Sequence, residues 1–305
     1  MTSAATDGAG GFGYRFGLFA DRRFKYLIIA PAVFVLLLIG LFPLVYSLFV
    51  SFQGITMMEQ DTSFHGLANY AQLFTDVRLW QALGHTAIIT LIALPLELLL
   101  GLAMALLFLE RMPGRQVFVA LLVLPTIIAP IVAGATWRLL FDNRYGPINQ
   151  VLSWFAGEPT PLLWTIKADL VYPAILIAEV WQWTPFMFLL LLAGLSSVDP
   201  SLTESAEIDG AGFWRTFFKI VLPVIWPVVA IALLIRGLDL VRIFDVVWAL
   251  TQGGPGTATE TISIYAYVQG FRQFETSYTA AIAFLVIVIL TALVIAALRR
   301  MDIAR

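Results

Sequence analysis

The chain has 305 residues, of which 60% are hydrophobic and 12% charged, with a mean hydropathy of +0.89 and a net charge of −2. Soluble domains carry about 25% charged residues, so this composition excludes an ordinary water-soluble globule and indicates a protein that lies mainly in lipid. The chain has no cysteine, which excludes disulfides and thiolate chemistry. We expect no nucleic-acid partner.

The first 25 residues form a glycine-rich segment that precedes the first apolar run. They lack the basic region followed by an apolar region that marks a secretory signal peptide. Basic residues cluster just before the apolar run, where they hold a segment in the cytoplasm. The sequence therefore predicts a cytoplasmic tail over residues 1–25.

Six apolar runs follow, each long enough to cross the hydrocarbon core as one helix. The chain is thus predicted to be an all-α, polytopic membrane protein with about six transmembrane helices over residues 26–298 and a cytoplasmic tail at 299–305. The predicted spans are 26–52, 83–109, 117–140, 170–195, 222–250 and 277–298. Prolines in several spans indicate bent helices, which are either ordinary irregularities or the walls of a central cavity.

The distribution of basic residues predicts the orientation of these helices. Eleven of the 18 Lys and Arg residues fall on the side that holds both termini, and five fall on the other side. Because basic residues are enriched in cytoplasmic loops, both termini are expected in the cytoplasm. The polar loop between the fourth and fifth spans is then cytoplasmic too.

That loop continues into the fifth span, and residues 197–227 read SVDPSLTESAEIDGAGFWRTFFKIVLPVIWP. Asp199 suits the N-cap of a short helix over 202–208, and Gly210 suits its C-cap because glycine tolerates a left-handed backbone. A second, amphipathic helix with bulky rings is expected to follow along the membrane surface, before Pro223 starts the next span. From these residues alone, a surface hairpin without a partner remains possible.

The spacing in this loop resembles the signature loop of ABC-importer permeases. The matching positions are Glu204, Ser205, Ala206, Asp209, Gly210, Ala211, Ile220, Leu222 and Pro223. Ser205 stands where the family usually has alanine, which is a small departure. The resemblance implies that the loop at 196–222 carries a short helix that docks into a cytoplasmic ATPase. Ala206 would permit close approach there, and Gly210 would form the turn.

Other stretches resemble the maltose-transporter-type first permease of carbohydrate importers. They include Phe42-Pro43, Leu124-Pro125 and the segment LTQGGP at 250–255. The resemblance implies a type I ABC-importer permease fold in the bacterial inner membrane. It also implies a second, similar permease, two ATPase subunits and an extracytoplasmic sugar-binding protein as partners. The chain has no phosphate-binding glycine-rich loop, so ATP and Mg²⁺ are expected on the ATPases, and this chain is expected to be non-catalytic.

Ionisable residues within the predicted spans are candidates for the sugar path, because such groups are costly in lipid. Arg236, Asp239, Arg242 and Asp245 alternate in sign at three-residue spacing, so they form either a self-neutralising ladder or, for Arg236 and Asp239 near mid-membrane, part of the path. Trp181 and its neighbours add rings and hydroxyls near a buried acid. The predicted path candidates are Glu179, Trp181, Trp183, Thr184, Arg236 and Asp239.

Other functions remain open at this point. A permease for a non-sugar solute would carry the same loop. An ATP-independent secondary carrier would need its own coupling acid, for which Glu97 is a weak candidate. A membrane enzyme is disfavoured because the residue pattern shows no catalytic set, and the isolated His65 and His85 do not predict a metal site.

Overall fold

The computed structural model describes Tyr26 and residues 28–56, 59–110 and 112–303, and it is helical almost throughout. The predicted tail at 1–25 lies outside these described residues. The helices are α1 (Ile28–Val50), α2 (Ala68–Thr75), α3 (Val77–Leu107), α4 (Arg115–Ile127), α5 (Pro130–Leu140), α6 (Pro147–Ala156), α7 (Ala168–Ser196), α8 (Pro200–Ile208), α9 (Phe213–Val241), α10 (Asp245–Thr251), α11 (Ile262–Tyr267) and α12 (Thr276–Ile303), and the antiparallel strands β1 (Gln53–Ile55) and β2 (Gln60–Phe64) lie between α1 and α2.

Five of these helices, α1, α3, α7, α9 and α12, are long and apolar enough to cross a membrane, and the bent pair α4–α5 supplies a sixth crossing if it counts as one span. Each predicted span therefore has a helical counterpart, and the predicted fold is confirmed. In the most apolar 18-residue window of α7, 61% of the residues are buried inside the protein, whereas 0% are buried in that of α1. The fold is thus organised around α7, with α1 at its periphery.

The fifth span differs from its prediction. The sequence predicts one span over 222–250 preceded by a separate surface helix, but α9 runs without a break from Phe213 to Val241. Pro223 does not start the helix, because a wider π turn, closed by the Leu222 N–H on the Phe217 carbonyl, carries the helix through this position. The chain then leaves the helix after Val241. The expectation that Arg242 and Asp245 lie within the span is therefore wrong.

The helix pair α4–α5 is bent by 96° at the two residues that separate the helices. Pro130 begins α5, and Ala129 before it is extended because a residue that precedes proline avoids the helical region. The break frees the Ile128 carbonyl, which accepts a hydrogen bond from Gln182 Nε2 of α7 at 2.9 Å. A buried side chain thus compensates for the backbone bond that the bend removes.

We expect Gln182→Leu to lower the thermal stability of the purified protein, because it leaves the Ile128 carbonyl without a partner at nearly constant side-chain volume. Where no water can replace the lost partner, as in lipid, an unsatisfied acceptor costs about 1–3 kcal/mol. Gln150→Leu is the matched control, since the exposed Gln150 also donates to a backbone carbonyl, at 3.3 Å. Thermal unfolding in the same detergent compares the two, and equal melting temperatures would contradict the role given to Gln182.

On the side of the fold opposite α8, a polar cluster joins α3 to α11 and α12. The Asp76 carboxylate caps α3 at the Leu79 N–H and accepts hydrogen bonds from the hydroxyls of Tyr265 and Tyr278. Partial burial raises the pKa of Asp76, but these hydrogen bonds outweigh it and leave the pKa below its usual value. The cluster anchors the start of α3 to the last quarter of the chain.

Candidate functional site

The loop after α7 forms the short helix that its sequence predicts, with α8 running from Pro200 to Ile208. The Asp199 carboxylate accepts a hydrogen bond from the Ser201 backbone N–H at 2.9 Å, and this bond lowers the pKa of Asp199. Pro200 occupies the first turn, where its missing N–H has no cost. The start of α8 is therefore specified locally.

Gly210 ends α8 in the left-handed conformation, with φ of +73°. Two backbone bonds close the turn, from the Gly210 N–H to the Glu207 carbonyl at 3.0 Å and from the Ala211 N–H to the Ala206 carbonyl at 2.9 Å. A Cβ placed on Gly210 would meet no atom within 4 Å. Backbone conformation, and not space, therefore makes glycine suitable here.

Two large apolar side chains of α8 are exposed among mostly polar neighbours. Ile208 is 87% exposed and Leu202 is 42% exposed, and Phe213 and Trp214 at the start of α9 are also exposed. Glu204, Ser205, Asp209 and Gly210 share this exposure, whereas Ala206 is buried within the chain itself. The close approach that Ala206 permits is thus to the chain's own helices, where α8 contacts the π turn of α9.

The remaining positions of the signature lie beyond α8. Ala211 is half-buried in the turn, Ile220 and Leu222 are half-buried in α9, and Pro223 is exposed on α9. The structure therefore places the signature on two elements, one that projects from the protein and one that crosses the membrane. A single turn at Gly210 joins them.

A cluster of three charged side chains lies at the contact of α3, α7 and α9. The Arg236 guanidinium donates to both oxygens of Glu97, at 2.6 and 2.9 Å, and its Nη2 also donates to Glu179 Oε1. The three side chains are at most 3% exposed. Bidentate contacts of this kind offset the desolvation of the ions, and they tie three helices at one point.

The ladder predicted from Arg236 to Asp245 does not form as a unit. Arg242 pairs with Asp239 at 3.0 Å in an exposed position, and Asp245 lies in the first turn of α10, after the break. Arg236 bonds instead to acids of other helices. Arg236 lies within the last two turns of α9, whereas its partners Glu97 and Glu179 lie well inside α3 and α7, so its expected position near the middle of the membrane stays a prediction.

The aromatic path candidates divide between two sides of α7. The Trp183 ring lies 4.7 Å from the Arg236 guanidinium carbon, so Glu179, Trp183 and Arg236 come together. Trp181 is 38% exposed and packs edge-on against Trp137 at 5.6 Å. Trp181 therefore lies apart from that group.

Thr184 is buried, and its Oγ1 has no hydrogen-bond partner within the described part of the chain. Two further polar residues are buried here, Glu97 on α3 and Gln182 on α7, and neither is among the predicted path candidates. Glu97 stands out in the sequence as a lone acid in an apolar run, but its distance from Arg236 in the chain hides the pairing. Gln182 carries no sequence signal beyond its polarity.

Comparison with known proteins adds the family. Residues 115–301 match the family described as "Binding-protein-dependent transport system inner membrane component". The trehalose/maltose transport system permease protein MalF of Thermococcus litoralis is 36% identical over 82% of this chain and 84% of the relative. The trehalose transport system permease protein SugA of Mycobacterium tuberculosis is 35% identical over 88% and 85% of the respective chains. The sulfoquinovosyl glycerol transport system permease protein SmoG of Agrobacterium fabrum is 33% identical over 86% and 85%.

Two solved structures share the fold. A chain of a bacterial alginate ABC transporter, in complex with an alginate pentasaccharide-bound periplasmic protein, superposes with a TM-score of 0.79 at 23% identity, over 93% of this chain and 96% of that one. A chain of the inward-facing MetNI methionine ABC transporter gives 0.53 at 16% identity, over 74% and 96%. The likeness extends over nearly the whole chain in the first case and over its larger part in the second.

Proposed function

Since the chain belongs to the binding-protein-dependent transport system inner membrane component family and is an ABC-importer permease, we propose that it carries a sugar or sugar derivative across the membrane. Three relatives at 33–36% identity, named for trehalose, maltose or sulfoquinovosyl glycerol transport, support this substrate class. A permease for a non-sugar solute is the alternative, and these relatives disfavour it. An ATP-independent carrier would have no use for α8.

The proposed coupling to ATP hydrolysis depends mainly on one observation, the exposed apolar surface of α8. Ile208 is 87% exposed on a short helix that is capped at both ends and projects from the protein. Ile208 is exposed close in sequence to Phe213 and Trp214, and large apolar side chains exposed together favour a contact with another protein. We propose that α8 and the turn at Gly210 dock into a partner ATPase, and that the ATPase, not this chain, binds ATP and Mg²⁺.

The proposed assembly contains this chain, a second similar permease, two ATPase subunits and an extracytoplasmic sugar-binding protein. The family description places the chain in the inner membrane. If α8 meets a cytoplasmic ATPase, the ends of α3 and α7 that adjoin it are cytoplasmic, and so are both termini. The non-catalytic role of this chain belongs to the same proposal.

Within the membrane, we propose that some path candidates form the wall of the path and others bind the sugar. Glu179 and Arg236 are buried and bonded to each other, and Arg236 is also bonded to Glu97, so we propose that they form the wall of the path and do not bind sugar directly. Trp183 is half-buried beside them, and Trp181 and Asp239 keep exposed surface. Ring faces and a carboxylate are groups that can bind a sugar's apolar face and hydroxyls.

The assembly is tested by purifying the tagged chain from its native membrane in mild detergent and measuring the stoichiometry of the proteins that accompany it. We expect one second permease and two ATPase copies per chain, with a sugar-binding protein whose association depends on nucleotide. A chain that purifies alone or as a homo-oligomer, while remaining folded, would contradict the proposed importer. The captured binding protein then serves to identify the sugar by ligand screening.

A further inference from the structure

The short helix α6 exposes apolar side chains and buries polar ones. Val151, Trp154 and Phe155 are 52%, 78% and 76% exposed. Asn149, in contrast, is only 5% exposed, and Ser153 is half-buried. A helix on the surface of a water-soluble protein shows the opposite pattern, with its apolar side toward the core. The exposed side of α6 therefore suits surroundings that are less polar than water.

The buried polar side chains of α6 are hydrogen-bonded within the chain. Asn149 Nδ2 donates to the Leu162 carbonyl at 2.9 Å, and Asn149 Oδ1 accepts from Trp164 Nε1 at 2.9 Å. Ser153 Oγ accepts from the Thr160 backbone N–H at 2.8 Å. These bonds fix which side of α6 faces inward, and so they also fix the exposure of its apolar side.

The position of α6 in the fold places it near a membrane surface. The ring of Trp164, which bonds to Asn149, packs on Phe141 at the end of α5, with the ring centroids 4.9 Å apart. The 29 residues of α7 then extend about 43 Å, at 1.5 Å per residue, before α8 begins. A bilayer with its headgroups is about 40–45 Å thick, so α6 lies near one surface of the membrane and α8 near the other.

The exposed residues of α6 divide between two sides of the helix. Gln150 is exposed and, together with Ser153, lines an open groove. At 100° per residue, Val151 lies about 100° and Phe155 about 140° from Gln150 around the axis. Trp154 also lines the groove, and its ring lies 4.8 Å from that of Phe155, so it stands between the two sides. Helices that lie in a membrane surface have one polar and one apolar side, and tryptophan is enriched at that level.

We propose that α6 lies in the surface of the bilayer, with Val151 and Phe155 against lipid acyl chains and Trp154 at the level of the headgroups. Two observations favour lipid over a protein partner. Residues 147–156 contain no charged residue, and the helices on both sides, α5 and α7, belong to membrane crossings. Anchored in this way, α6 holds the adjoining ends of α5 and α7 at the membrane surface. The lipid contact is independent of the proposed function, whereas its assignment to the outer leaflet rests on the proposed contact of α8 with a cytoplasmic ATPase.

Single cysteines test the lipid contact, because the chain has no cysteine of its own. Val151→Cys and Phe155→Cys are labelled with bimane in the purified protein, together with the subunits that accompany it, in phosphatidylcholine nanodiscs. A fraction of the lipid carries a nitroxide on its acyl chain, which quenches bimane at short range. We expect both labels to lose most of their fluorescence to this lipid and little to iodide in the water.

Gln150→Cys is the matched control, since Gln150 is exposed on the other side of the same helix. Its label should respond to iodide more than to the spin-labelled lipid. The wild-type protein, treated in the same way, measures the labelling of other subunits. Two lipid-facing positions are used so that the test stands if one variant does not fold.

Three results would overturn the proposal. Labels at Val151→Cys and Phe155→Cys that iodide quenches and the lipid does not would place this side of α6 in water. Labels that neither quencher reaches would show that a protein subunit covers it. Protection from iodide that appears only when the sugar-binding protein is added would assign this side to that partner.

The choice of leaflet is tested separately in intact cells. A thiol reagent that does not cross the inner membrane should modify Gln150→Cys without lysis, because this residue faces the outer aqueous side. Modification only after lysis would place α6 on the cytoplasmic side and contradict the proposed orientation and coupling. The quenching pattern needs no transported sugar, so it decides the lipid contact even if the proposed function fails.

Discussion

Gly210→Val is expected to abolish sugar uptake while the chain remains folded in the membrane. Gly210 has φ of +73°, a conformation that costs other residues roughly 1–2 kcal/mol and is most unfavourable for a β-branched side chain. Valine relieves this strain by changing the backbone between α8 and α9, which misplaces the surface proposed to meet the ATPase. Uptake into proteoliposomes, with ATP hydrolysis measured in parallel, reports the loss of coupling.

Two controls separate this effect from general damage. Gly157→Val introduces the same side chain at φ of +74° with open space around it, but in the loop after α6, so it should keep uptake. Gly210→Asn should retain most of the activity, because asparagine tolerates the left-handed region. Wild-type uptake by Gly210→Val would refute the coupling role of the turn.

Glu204→Lys, which reverses a charge on the exposed side of α8, should also abolish uptake.

Arg236→Met is expected to destabilise the protein severely. The substitution leaves Glu97 and Glu179 together in a buried site without a cation. Breaking a buried ion pair by removing one partner costs about 3–5 kcal/mol, because the remaining charge is not compensated. We expect a large fall in the melting temperature of the purified chain and a low yield from the membrane.

The same helix supplies the control. Arg242 bonds to Asp239 at 3.0 Å, but the two side chains are 62% and 42% exposed, so Arg242→Met should change stability by less than about 1 kcal/mol. Neutralising the acids with Glu97→Gln and Glu179→Gln should restore part of the stability lost in Arg236→Met. If Arg236→Met and Arg242→Met melt at the same temperature, the buried cluster does not hold the helices together.

The features that sequence predicted well depend on local rules. The N-cap at Asp199, the left-handed Gly210 and the short helix between them involve residues within one or two turns of each other, so their spacing is sufficient. Hydropathy located the crossings because it measures composition over a window as long as the membrane is thick. The resemblance to the permease family likewise depends on residues that lie close together in the sequence.

Other features could not be predicted because they depend on contacts between distant parts of the chain. The run from Leu240 to Leu250 is apolar on both sides of the break after Val241, so hydropathy could not show where α9 ends. Arg236 suggested partners three residues away, yet its carboxylates belong to α3 and α7. Local charge spacing suggested one set of pairs, and helix packing produced another.

The break between α4 and α5 has a mechanical consequence. Of the two helices of this bent pair, α4 packs mainly on α7 and α5 packs mainly on α10, where Gly134 is so close to Val246 and Ala249 that an added methyl group would clash. Because α7 contacts α4 more extensively than it contacts α5, a movement of α7 is expected to displace α4 further than α5. The two residues before Pro130 would then act as a hinge between α4 and α5. The hydrogen bond from Gln182 to the Ile128 carbonyl ties this hinge to α7.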